Sequence, residues 1–385
     1  MVFVAAGLIF ALALDTSRPE LDSRTILILG ELALALTLFS DAARMNLAAL
    51  KGNDLPVRML VLGLPLTIAI GTAIASVFFA NLSIWEAAIL GTVLAPTDAG
   101  LGKQVVESPK IPLRIRQTLN IEAGLNDGIA VPFLLIFITL AEVEGGIGAA
   151  GIWATFAAEI GFGVLVGIII GIVGGRLLKR ALSLDWITQT YRSLVFPALA
   201  IIAFVTADQL GGSGFIAAFV GGLTIVLVFG RVDEGLIDFI ESEGQLVDLA
   251  VFFIFGAVAL SLLGALSPLS VLYAVLSLTV IRMVPVALSL IGKHLNQSTV
   301  LFLGWFGPRG LASIVLGLIV VEEIPQLAGL ERIQVVVAIT VLLSVFAHGI
   351  STNPLIDRYA RRTKAFDTDA GEHQEAHAAP TRKVA

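Results

Sequence analysis

The chain has 385 residues, 57% of them apolar and only 14% charged, with a net charge of −6. Soluble domains carry roughly 25% charged residues, so a soluble enzyme is excluded, and the acidic balance speaks against a nucleic-acid partner. There is no cysteine, which excludes disulfides, thiolate metal sites and thiol catalysis. Residues 1–14 have no basic residue ahead of their apolar run, unlike a cleaved leader.

Apolar runs that reach the ~20 residues needed to cross a bilayer as a helix predict an all-α polytopic membrane protein. About twelve spans fall near 1–15, 25–45, 56–79, 84–107, 115–141, 150–175, 191–209, 212–231, 243–265, 268–293, 297–321 and 330–353. Basic residues gather at every second boundary: Arg44, Lys51 and Arg58; Lys103, Lys110, Arg114 and Arg116; Arg176, Lys179, Arg180 and Arg192; Arg231; Lys293; then Arg358, Arg361, Arg362 and Lys364. Only Arg18, Arg24 and Arg332 lie near the opposite boundaries. The positive-inside rule then puts both termini in the cytoplasm. Residues 1–355 read as one transmembrane domain and 356–385 as a polar, loosely held cytoplasmic tail.

Two trios of spans, about 56–141 and 268–353, start on opposite sides of the membrane. The middle helix of each carries a breaker, Ala95-Pro96-Thr97-Asp98 in one and Gly307-Pro308-Arg309-Gly310 in the other. Thr97 follows Pro56 by 41 residues and Pro308 follows Pro268 by 40. Inverted repeats with interrupted helices point to a secondary transporter whose site lies at the bilayer midplane, where the two discontinuous helices cross. Ordinary proline kinks are the plain alternative.

Charge beside the breaks favours the site. Pro96 frees carbonyls from the helical ladder next to Asp98, although Asp98 also suits a helix N-cap. The next span holds Asn120, Glu122, Asn126 and Asp127. A carboxylate at the bilayer centre costs about 2.5–3.5 kcal/mol on insertion scales, so packing alone does not explain two. At about 100° per residue Glu122 and Asn126 share a face, whereas Asp127 is turned roughly 140° away. Asp127 has no basic residue within helical reach. Buried there, it is held as the neutral acid or as the partner of a cation, so that one ligand expels the other. Two arginines, Arg282 and Arg309, also fall inside spans and need carboxylate partners, Glu122 first among them. Arg309 suits the half-helix dipoles at the crossing, with snorkelling as the bland reading. Weaker candidates are Glu31, Asp41, Glu86, Asp208, Asp248 and His348, while His373 and His377 belong to the tail. The glycine-rich stretches Gly161–Gly163 and Gly171–Gly175 read as close-packing helix surfaces.

Pro96-Thr97-Asp98, Glu122 to Asp127, Arg282 and Gly304 to Gly310, taken in this order, resemble the NhaP/NHE-type sodium/proton antiporters over nearly the whole membrane region. The resemblance implies a core domain with crossed unwound helices, a separate dimerisation domain and elevator-like alternating access. Asp127 would be the carboxylate shared by Na⁺ (or Li⁺ or K⁺) and H⁺, assisted by Asn126, Asp98 and Thr97. Glu122 would pair structurally with Arg282, and Arg309 would sit at the crossing. The Asn-Asp pair is similar to the electroneutral branch, one proton for one sodium. No cofactor is implied, and the partners are the two ions, the lipid bilayer of the inner membrane and a second copy in a homodimer. The chain departs from the family pattern at Ala99, where proline is usual, and at Ala123, where a hydroxyl is common. Its first span resembles the family's second, so the resemblance implies twelve spans where thirteen are common, the first helix being absent either from this chain or from its branch. A sodium-coupled organic-anion symporter on a similar scaffold is the competing reading. There is no Walker-type phosphate loop.

Overall fold

The computed structural model describes residues 1–13, 23–44, 53–144, 152–229, 234–363 and 372. Arg18, Lys51, Arg231, Lys364, His373 and His377 lie outside the described residues, as do the side chains of Arg24 and Arg192. The described residues are helical without strands: α1 (Val2–Ala13), α2 (Ser23–Arg44), α3 (Leu55–Arg58), α4 (Leu64–Phe78), α5 (Ile84–Val93), α6 (Ala99–Glu107), α7 (Leu113–Glu144), α8 (Ile152–Ser183), α9 (Gln189–Gln209), α10 (Gly214–Phe229), α11 (Glu234–Leu262), α12 (Pro268–Leu278), α13 (Val280–Ser289), α14 (Gln297–Trp305), α15 (Leu311–Glu323) and α16 (Leu330–Thr363). Each apolar run of the sequence coincides with one helix or a broken pair. Among the described residues, six stretches are long and apolar enough to cross a membrane: Leu55–Phe78, Leu113–Glu144, Phe156–Ser183, Asp248–Ala265, Pro268–Ser289 and Leu330–Thr363.

Among the described residues four helical rods are interrupted, and each break has a local cause. Pro65 cannot donate to Val61, and the ladder slips into a π-turn, Met59–Gly63, in which the Leu64 amide donates to the Met59 carbonyl. Pro96 ends α5, and the glycine-flanked Pro308 separates α14 from α15. The fourth break, at Thr279 between α12 and α13, is not expected from the sequence. Its hydroxyl donates back to Val275 O at 2.7 Å, which bends helices, and Pro285 removes another donor downstream.

The last helix also differs from expectation. It runs to Thr363 instead of ending near 353, and so crosses the boundary placed at 355. Thr352, Ile356, Tyr359 and Thr363 recur at helical spacing on a buried face. The extension is amphipathic, so a reading of apolar runs misses it. Tyr359 bonds Thr299 of α14 at 2.9 Å and Asp357 pairs with Lys110 at 2.6 Å.

Helix α2 packs on α7, α9, α10, α11 and α15. Small residues let α8 and α10 pack closely. Gly163, Gly167, Gly171 and Gly175 repeat every four residues along α8 and meet α10 at Ser213, Ala217, Gly221 and Val228, where any Cβ would press on backbone or side-chain atoms. Gly174 instead faces Leu199, and Gly161 faces open space.

Candidate functional site

The two proline breaks meet, and each supplies what the other lacks. The Asp98 amide donates to the Pro308 carbonyl at 2.8 Å. Asp98 Oδ1 accepts from Leu101 N at 2.9 Å, capping its own helix α6, and Oδ2 accepts from Leu311 N at 2.8 Å, capping α15. One carboxylate thus ends two helices at their positive poles. Arg309 does the converse: its Nη1 donates to the Ala95 and Pro96 carbonyls, the negative end of α5, and its amide donates to Ser344 Oγ at 2.6 Å. At 0% exposure Arg309 does not snorkel. A Cβ at Gly310 would collide with Asp98 Oδ2, so a side chain there must displace the carboxylate. His348 Nε2 lies 2.9 Å from Trp305 O, at the end of α14, so this histidine serves the second break.

Helix α7 lays its polar motif across the junction. Glu122 and Arg282, each 2% exposed, form a two-pronged ion pair, Nη1–Oε1 2.7 Å and Nη2–Oε2 2.9 Å. Asn126, one turn on, donates to Thr97 Oγ1 at 2.6 Å and to Glu122 Oε1 at 3.3 Å, and Thr97 donates to Glu122 Oε2 at 3.4 Å. Gly307 lies on the Arg282 guanidinium with no room for a side chain.

Asp127 stands apart from this network. It is 7% exposed, and its Oδ1 is buried with no hydrogen-bond partner; the same is true of Asn126 Oδ1. The charged groups acting on it are Asp98, Asp41 and Glu122, opposed by Arg309. Of its neighbours on α7, Gly124 packs against Asp41 of α2 and Gly128 against Phe219 of α10. Orphaned acceptors of this kind cost about 1–3 kcal/mol each unless a proton or cation answers them. A cavity of about 10 Å³, room for about one water, adjoins the junction, lined by Thr97, Asp98, Asn120, Ala123, Phe306 and Pro308 among others. Asp127 does not line it; Asn120 is exposed at its margin.

The weaker candidates separate cleanly. Glu86 completes a capping box with Ser83 and accepts the Gly329 amide at 2.7 Å, a structural duty readable in Ser83-x-x-Glu86. Glu31 and Asp208 fall near Glu322 and Glu323, away from the breaks. Asp248 accepts a hydrogen bond from Thr37 and lies within electrostatic reach of Asp41 and Asp98. Sequence reasoning missed Ser344 and the Ala95 and Pro96 carbonyls. Nothing but a partner for the buried Arg309 could have signalled them.

Crossed broken helices in an apolar bundle, with an unanswered buried acid beside them, define an integral, multi-pass membrane protein of the secondary-transporter class. The profile of the family described as "Sodium/hydrogen exchanger, transmembrane" matches residues 1–358, and the chain belongs to that family. It is 29% identical over 346 residues to the "K(+)/H(+) antiporter NhaP" of Alkalimonas amylolytica, covering 85% of this chain and 56% of that protein. It is 25% identical over 338 residues to the "K(+)/H(+) antiporter NhaP2" of Shewanella baltica (strain OS223), covering 86% and 57%. The chain therefore spans little more than half the length of these curated relatives. Its fold is similar to the solved structure of the sodium proton antiporter MjNhaP1 from Methanocaldococcus jannaschii, with a TM-score of 0.73 at 19% identity over 93% of this chain and 92% of that one.

Proposed function

We propose that this chain is a secondary antiporter that exchanges Na⁺, or Li⁺ or K⁺, for H⁺ by alternating access, one ion for one proton. The observation that carries the reading is the pair of unanswered acceptors, Asp127 Oδ1 and Asn126 Oδ1, buried beside the junction of the breaks. A proton on Asp127 satisfies one of them, and a bare cation satisfies both while drawing on Asp98 and the Thr97 oxygens. The two ligands compete for one carboxylate, and that competition is the exchange. Asp98 keeps lone pairs beyond its two caps and so serves as cap and ligand together. Glu122 and Arg282 hold Asn126 and Thr97 in place, and Arg309 holds the breaks crossed. The Asn-Asp pair supports electroneutral exchange, and the relatives' names support a monovalent cation with K⁺ as a serious alternative to Na⁺.

In this reading residues 1–355 are the exchanger domain in the inner membrane, with the trios 56–141 and 268–353 as its moving core and both termini in the cytoplasm. The remaining helices dock a second copy in a homodimer, and 356–385 is the cytoplasmic tail, entered by the last turns of α16. The organic-anion symporter has no support, since the cavity beside Asp98 holds about one water and the relatives are named antiporters.

Proteoliposomes with an imposed pH gradient test the proposal. Adding Na⁺, Li⁺ or K⁺ should collapse the gradient in the wild type and leave it standing in Asp127→Asn. Clamping the membrane potential should not change the rate. No response to any alkali cation, or an undiminished response in the variant, overturns the reading.

A further inference from the structure

The glycine ladder of α8 has a register, and the register continues past the glycines. Positions 163, 167, 171 and 175 are glycine and close the seam against α10; the next position, 179, is Lys179. Beside the end of this seam, where Gly171 and Gly175 meet Thr224 and Val228, α8 and α10 leave a groove of about 400 Å³. Its walls are Ile172, Arg176 and Lys179 at helical spacing on α8, and Thr224, Leu227 and Val228 on α10. Among the described residues, neither Arg176 nor Lys179 has an acidic partner.

We propose that this groove binds an anionic phospholipid of the leaflet on the basic side of the protein. The phosphate would lie between Arg176 and Lys179, with the Thr224 hydroxyl near it, and an acyl chain along Ile172, Leu227 and Val228. Charge complementarity favours a phosphate, and the wall favours a lipid over a free anion. Leu227 is 71% exposed and Leu177, beside the basic pair, 63% exposed, so the groove opens onto an exposed apolar surface. Basic pockets between helices at this level are lipid headgroup sites. This groove is separate from Asp98 and Asp127 and stands whichever ion the chain carries.

Native mass spectrometry of the purified full chain, delipidated in detergent and titrated with phosphatidylglycerol or phosphatidylcholine, tests the assignment. The wild type should retain phosphatidylglycerol in preference. Each cation is worth about fivefold in affinity, so the double variant Arg176→Gln/Lys179→Gln should bind about twenty-fivefold more weakly. Arg361→Gln, which removes an exposed charge elsewhere, should match the wild type. Leu227→Trp, which fills the groove and keeps both charges, should also lose the lipid. Unchanged retention in either groove variant overturns the site, as does displacement of the lipid by equimolar inorganic phosphate, which would mark a free-anion site.

Discussion

Glu122 and Arg282, 160 residues apart in sequence, present both prongs of a carboxylate to both prongs of a guanidinium in a site closed to solvent. Removing one member of such a pair strands the other and costs about 3–5 kcal/mol. Arg282→Gln should therefore lower the unfolding temperature in detergent sharply, and Glu122→Gln/Arg282→Gln should recover most of the loss. A double variant no more stable than Arg282→Gln alone would show that the pair is not what holds α7 to α13.

Gly310 and Asp98 make a steric prediction. A methyl group at 310 collides with the carboxylate that caps α15, so Gly310→Ala forces that cap open at about 1–3 kcal/mol. It should impair transport as severely as Asp98→Ala, although it removes no polar atom. Exchange rates of the two variants in the same vesicles check this, and wild-type activity in Gly310→Ala would sink it.

Ala123 lines the small cavity beside Asp98. Ala123→Ser adds an oxygen at that wall and should be tolerated, tightening the apparent affinity for Na⁺ relative to K⁺. Affinities unchanged by Ala123→Ser and by Asp98→Ala alike would remove the ion from this place.

Asp54 lies outside the spans at the start of α3, where Lys293, Arg58 and Arg114 converge on it. Partial burial pushes its carboxyl up, but the Lys293 hydrogen bond and the surrounding positive charges win and hold it below the usual range. A group lowered by folding adds stability that is complete above its ordinary value of about 3.9 and lost as pH falls through the folded one. Asp54→Asn should lower the unfolding temperature at neutral pH and make less difference at a pH well below the carboxyl's ordinary value. Because Asp54 is half exposed, the effect should shrink in high salt. An equal gap at both pH values would refute the assignment.

What could be read from the sequence was whatever the membrane makes expensive. The spans, the proline breaks and the charged residues of α7 stand out because hydrocarbon penalises each departure from an apolar helix. Arg282 and Arg309 demanded partners on the same ground, but the chain order does not say which partner goes to which arginine. Contacts made by backbone atoms were invisible. The Ala95 carbonyl that receives Arg309 is a feature every residue has, and so is the Leu311 amide on Asp98. The break at Thr279 has no proline or glycine at the junction itself, Pro285 lying a turn and a half further on, and the last turns of α16 escape because their buried face includes threonine and tyrosine.

The reciprocal capping of the two breaks bears on how the protein is made. Arg309 is synthesised 214 residues after Ala95, roughly 10–40 s later at about 5–20 residues per second. Through that interval the first repeat leaves the translocon with bare carbonyls, and it must borrow water, lipid headgroups or an insertase to shield them. A ribosome stalled upstream of Arg309 should therefore yield a chain, lacking this cap, that quality-control proteases remove faster than the finished protein.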